Sequence, residues 1–209
     1  MNTELKTLEE NKTWTLVDLP QNNKPISTKW VYKIKKNDDK SLTYKARLVA
    51  RGFEQIQGLN YYETYAAVIK QQTFKIVFAI ATIKGHIIWK IDMKSAFSQG
   101  DIGEDTIYLT QPEGFKNTKN PNKVLLLGKA LYGLKQSANI WFNLLAKEII
   151  ALGFTQLKND SCLYYNKSKD TIIIVYVDDI AITGPDTSYI KGIIAKLGER
   201  FIISDLGPI

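Results

Sequence analysis

Residues 171–184 read TIIIVYVDDIAITG, and the rest of the chain is organised around them. Two short apolar, β-branched runs, 172–176 and 180–183, flank the adjacent acids Asp178 and Asp179. Runs of that length and composition are strands buried on at least one face. The acidic pair then falls at the tip of a tight hairpin on a rigid base. Two adjacent carboxylates repel by about 1 kcal/mol in water and by up to about 4 kcal/mol where half-buried. A divalent cation is the usual way to offset that repulsion. A solvated acidic turn is the plain alternative. An acidic pocket after a parallel strand, as in phosphoacceptor receiver domains, demands a helix after the pair, whereas 180–183 returns as a strand. The tip reading therefore calls for one more carboxylate on a neighbouring strand.

Residues 87–92, IIWKID, supply it: an apolar strand ending in Asp92. An Asp at a strand end often caps the next turn or helix, so it gains meaning only beside the hairpin. Asp92 and Asp178 are 86 residues apart, room for a crossover that sets their strands side by side. Three carboxylates on adjacent strands can hold two divalent ions about 4 Å apart, the arrangement that serves phosphoryl transfer in polymerases and nucleases.

Bulk properties narrow the field. The chain has 209 residues, 44% hydrophobic and 11% aromatic, enough for one large or two small domains. A net charge of +7 and a pI near 9.2 lean towards a polyanionic partner. The one cysteine, Cys162, reads as a buried thiol in a reducing compartment. With His86 as the one histidine, His-rich zinc sites are excluded and a Ser-His-Asp triad is disfavoured. No apolar stretch approaches about 20 residues and no signal peptide opens the chain, so no membrane partner is expected.

From the N-terminus, Leu5 and Leu8 mark a loosely attached helix, 13–17 a short strand, and 28–35 and 42–51 a hairpin joined through Asn37, Asp38 and Asp39. Alternation puts Trp30, Tyr32 and Ile34 on one face with Tyr44, Ala46 and Leu48. Lys33, Lys35, Lys45, Arg47 and Arg51 fall on the other, a face suited to phosphate oxygens or merely the wet side of a surface hairpin. Past a tyrosine-rich loop (Tyr61, Tyr62, Tyr65), residues 71–84 carry Phe74, Val77, Phe78 and Ala81 at helical spacing, with Gly85 as cap. Strands are expected at 106–109, 124–127 and 162–165. The turn LYGLKQ (131–136) opens a helix bearing Trp141, Leu144, Leu145, Ile149 and Leu152, stopped by Gly153. A last helix is expected over 186–197, stopped by Gly198. In LYGLKQ, Gly133 lets backbone approach a planar ligand and Lys135 is available to phosphate.

These residues resemble the reverse transcriptase segment of Ty1/copia-type retrotransposon Pol polyproteins along essentially the whole chain. The matching stretches are NKTWTLVDLP, KWVYKIKKN, YKARLVARGF, IDMKSAF, IYLTQPEGF, ALYGLKQ, YVDDIAITG and DLGP. The resemblance implies an α+β right-hand fold of fingers and palm, with an antiparallel palm sheet backed by helices. Residues of about 13–85 would be mainly fingers and 86–209 mainly palm, with the thumb, RNase H and integrase regions absent. It implies an RNA-directed DNA polymerase working on an RNA template, a DNA primer and dNTPs, with two Mg2+ ions (Mn2+ as substitute) and the other Pol domains as partners, in a cytoplasmic virus-like particle. Asp92 and Asp178 would bind metal, with Asp179 as supporting acid. Arg47 and Lys35, with Lys33 and Lys36 as alternatives to the latter, would hold the triphosphate. Phe97 would block a ribose 2′-hydroxyl, and Gly133 and Lys135 would lie near the template base. The chain departs from the family pattern in Ser137-Ala138-Asn139, where APR or SPR is usual, at Ala67 and at Ser98. The remaining alternative is a catalytically inactive remnant that still binds nucleic acid.

Overall fold

The computed structural model describes residues 1–36, 39–103 and 105–209. Asn37 and Asp38, assigned above to the hairpin turn, lie outside the described residues. In chain order the elements are α1 (Asn2–Glu10), β1 (Trp14–Val17), β2 (Thr28–Lys36), β3 (Leu42–Ala50), α2 (Gln71–Lys84) and β4 (Ile87–Met93). There follow β5 (Tyr108–Leu109), β6 (Val124–Leu127), α3 (Ser137–Ala151), β7 (Thr155–Leu157) and β8 (Asp160–Asn166). The chain closes with β9 (Thr171–Tyr176), β10 (Asp179–Gly184), α4 (Thr187–Arg200) and β11 (Ile203–Pro208). This is a mixed α and β architecture whose strand ladders are antiparallel. Among the described residues no helix is long and apolar enough to cross a membrane.

The chain divides into two compact units, residues 1–65 with 97–140, and 66–96 with 141–209. The first holds a three-stranded sheet in the order β1-β6-β5 and the ribbon β2-β3. Its core gathers Ile26, Leu48, Ala50, Leu109, Leu125, Leu127, Leu131 and Leu134. Trp14, Trp30 and Leu5 of α1 pack on it, so α1 is anchored rather than loose. The ribbon has the alternation read from sequence: Trp30, Tyr32 and Ile34 stand opposite Leu48, Ala46 and Tyr44. Only its base is core, however. Leu48 is fully buried, while Tyr32, Ile34 and Tyr44 are 65%, 61% and 73% exposed.

The second unit is built on a six-stranded sheet in the order β11-β4-β10-β9-β8-β7. β4 and β10, far apart in sequence, are direct neighbours. Trp89, Ile91 and Met93 alternate as the buried face of β4, leaving Lys90 and Asp92 half-buried on the other. On that second face α2 contributes Val77 and Phe78 to a core with Ile172, Ile174 and Ala181. The covering stops short of Tyr176, Asp179 and Asp92, which the register places at the open end of the same face. α2 has the bounds expected for it and ends on Gly85 at φ 65°. Two expectations are corrected. Gly198 lies inside α4, which continues to Arg200. The strand expected at 106–109 is limited to Tyr108–Leu109. In addition, β11 forms over Ile203–Pro208, a stretch where no strand is expected.

Candidate active site

A two-residue turn, Val177-Asp178, joins β9 to β10, because Tyr176 pairs with Asp179 across the hairpin. Asp178 therefore sits in the turn as expected, whereas Asp179, expected beside it at the tip, is already paired and opens β10. Val177 adopts φ 59°, a region a β-branched residue enters only when its surroundings compel it. Two bonds do so. The Trp141 indole N–H of α3 donates to the Val177 carbonyl at 2.7 Å. The Met93 N–H of β4 donates to the Asp178 carbonyl at 2.8 Å. The second ties the turn to the strand that carries the third acid.

That acid is next door. Asp92 pairs in register with Asp179 of β10 on one side and with Ser204 of β11 on the other. Directly paired residues of an antiparallel ladder share a face, with Cβ atoms about 4.5–5.5 Å apart. No helix follows the acidic pair, so the receiver-type pocket is excluded. Asp92, Asp178 and Asp179 are all half-buried. The Lys90 ammonium lies 2.9 Å from Asp179 Oδ1. Among the described residues no group of three or more His, Cys, Asp or Glu side chains is disposed to hold a metal ion. The donors present are hard carboxylate oxygens, the type Mg2+ takes. Mg2+ commonly binds through one or two carboxylates plus substrate phosphates rather than through an all-protein cage.

In the first unit, Arg47 and Phe97 come together through a residue that sequence reasoning passed over. The Arg47 guanidinium lies over the Tyr132 ring, 4.9 Å from its centroid. Tyr132 in turn meets Phe97 edge to face at 4.6 Å, a favourable geometry for both contacts. Tyr132 is held by its own carbonyl, which accepts from the Ala50 N–H of β3 at 2.8 Å. Its signal was its place in LYGLKQ, one residue before the glycine. Lys35 is not part of this group. It faces Thr43, four residues beyond the Val31 that faces Arg47, about 13 Å further along the ribbon. Lys33 lies between them, opposite Lys45, and Lys36 points to the apolar side, opposite Leu42.

Gly133 has φ 91°, and a Cβ there would stand 2.1 Å from the Ala50 carbonyl oxygen. Lys135 stacks over Tyr61 at 4.7 Å and donates to its hydroxyl at 3.1 Å. The turn is locked beneath by a buried amide pair: Gln55 Nε2 donates to Gln136 Oε1 at 2.9 Å, and the Lys135 N–H donates to Gln55 Oε1 at 2.7 Å. Among the departures, Asn139 donates to the Tyr65 carbonyl and Ser98 accepts from the Asn11 amide at 3.3 Å.

The structure thus sets a hairpin acid pair beside an acid-bearing strand of an antiparallel sheet. Residues 11–209 match the family described as reverse transcriptase (RNA-dependent DNA polymerase), and the chain belongs to that family. It is 37% identical to the retrovirus-related Pol polyprotein from transposon TNT 1-94 of Nicotiana tabacum, over all of this chain and 16% of that protein. It is 38% identical to the Pol polyprotein from transposon RE1 of Arabidopsis thaliana, over 98% of this chain and 14% of that one. The chain thus spans about one sixth of the length of these relatives. A solved apo telomerase from Candida tropicalis matches 98% of this chain and 54% of its own at TM-score 0.46 and 11% identity, too distant to argue from.

Proposed function

We propose that this chain is the fingers and palm part of an RNA-directed DNA polymerase of a copia-type retrotransposon. It would join a dNTP to a primer 3′-hydroxyl on an RNA template. The observation that carries the reading is the register pair Asp92–Asp179 beside the Asp178 turn. Asp92 and Asp178 are the residues that would hold Mg2+, which when bound neutralises phosphate oxygens and makes the primer hydroxyl a better nucleophile. The chain's own part is positioning. The sheet keeps Asp92 and Asp179 on one face, and Trp141 and Met93 hold the turn that carries Asp178. Arg47, steadied by Tyr132, offers a guanidinium to triphosphate oxygens, with Lys33, the nearer lysine of that face, adding charge. Phe97 presents a ring edge against a ribose 2′-hydroxyl. Gly133 and Lys135 serve the template strand, and the remaining domains of the polyprotein would add grip.

Primer extension on a primed RNA template, with dNTPs and Mg2+, tests this. Asp178→Ala and Asp92→Ala are expected to lower incorporation at least about a hundredfold, the scale of losing one group that stabilises transition-state charge. Incorporation that survives in both variants removes the assignment. The ion pair between Lys90 and Asp179 favours one other reading, a remnant that binds nucleic acid without catalysis. Salt-sensitive primer–template binding with no extension at any Mg2+ concentration would select it.

A further inference from the structure

We propose that Lys90 is a built-in counter-ion of the acidic centre, weakening its hold on divalent metal until substrate phosphates arrive. The proposal rests on the polymerase reading above and concerns a residue that reading does not use. Lys90 and Asp92 alternate onto the same face of β4. Across the ladder, Asp92 faces Asp179 and Lys90 faces Ala181, so Lys90 is the diagonal neighbour of Asp179, within reach of a long side chain. Alanine opposite leaves room for the lysine stem to lean along the strand. The register partner of Lys90, Ala181, packs against the apolar cluster of Ile174 and Val77, and the Lys90 ammonium lies 2.9 Å from Asp179 Oδ1.

The consequence is electrostatic. Hard-cation affinity follows the number of carboxylate charges at the site. Here one of three is matched by an ammonium at 2.9 Å. A cation entering alone meets a resident positive charge; one entering with a triphosphate brings its own compensation. Metal loading is therefore tied to nucleotide binding.

The test is Mn2+ binding to the whole chain, read from the free-ion EPR signal, with and without primed template (dideoxy-terminated) and dNTP. In the nucleotide-free chain, Lys90→Met and Lys90→Gln are expected to tighten Mn2+ by about thirtyfold, the factor of one unit charge acting on a divalent ion about 4 Å away under full solvent screening. Lys90→Arg is expected to match the wild type, and the gain is expected to vanish when Asp178→Ala is added. Thermal melting confirms that the half-exposed position tolerates each change. Unchanged or weaker Mn2+ binding in Lys90→Met, or a gain that persists with Asp178→Ala, overturns the proposal. If Mn2+ still binds in the nucleotide complex, that result leaves the polymerase reading standing. Absence of Mn2+ binding in every variant, even with nucleotide and primed template, removes both.

Discussion

Val177 is a β-branched residue with a left-handed backbone, a conformation costing about 1–3 kcal/mol that the surroundings must over-determine. The Trp141 indole is one of the groups that do so. Trp141→Phe keeps the ring and deletes the donor. It is expected to lower unfolding free energy by about 1–3 kcal/mol in urea titrations, and to slow extension more than it weakens dNTP binding. Gly133 meets a harder limit, since any Cβ collides with the Ala50 carbonyl. Gly133→Ala is expected to cost roughly 2–4 kcal/mol by the same measurement. Burial pushes the Cys162 thiol up to about 11, so at pH 8 it is protonated in the fold. Ellman's reagent should leave it untouched until denaturant is added. The meeting of Asp92 with the hairpin acids was legible in the sequence because each is flanked by an apolar, β-branched run that a sheet can pair. The backbone of Val177 was not, because it depends on an indole 36 residues away. Tyr132 was passed over for a related reason: its two partners, Arg47 and Phe97, come from distant parts of the chain.

At the scale of elements, helices with a clear apolar period announced their bounds. α2 did so through Val77, Ala81 and the left-handed Gly85. Gly198 misled because a glycine inside a helix costs only about 1 kcal/mol, and Leu197 and Phe201 are buried on either side of it. β11 was hidden because its Leu206 sits in a register shift between Asp205 and Gly207, a bulge that no period-2 pattern reveals. One junction between elements is pH-sensitive. Lys84, at the end of α2, donates to Asp170 Oδ2 at 2.7 Å, and the Tyr165 hydroxyl of β8 donates to Oδ1 at 3.1 Å. The lysine bond holds the Asp170 carboxyl below its ordinary 3.8 and raises Lys84 above its ordinary 10.5. The carboxylate's contribution is thus in place above the unfolded-state value and fades as pH falls through the lowered one; the lysine's fades only as pH rises through its raised value. Asp170→Asn should melt earlier than the wild type at pH 7, with the gap closing as pH approaches 3.

At the scale of the molecule, the net charge of +7 has a visible focus in the ribbon face bearing Lys33, Lys35, Lys45 and Arg47. If that face tracks phosphates, Lys33→Ala should weaken primer–template binding about equally for all sequences. It should also flatten the plot of log affinity against log salt by about one unit of slope; an unaltered slope would place the nucleic acid elsewhere. The face was legible because period-2 alternation is purely local. The exposure of Tyr32, Ile34 and Tyr44 opposite it was not, because no local pattern tells how far neighbouring elements extend. The sheet order has a consequence for synthesis in the cell. β4 lies between β10 and β11, so Trp89, Ile91 and Met93 leave the ribosome before either flanking strand exists. At about 5–20 residues per second, these apolar side chains wait on the order of 5–20 s, a period in which a chaperone that shields nascent hydrophobic segments should govern the yield of folded chain.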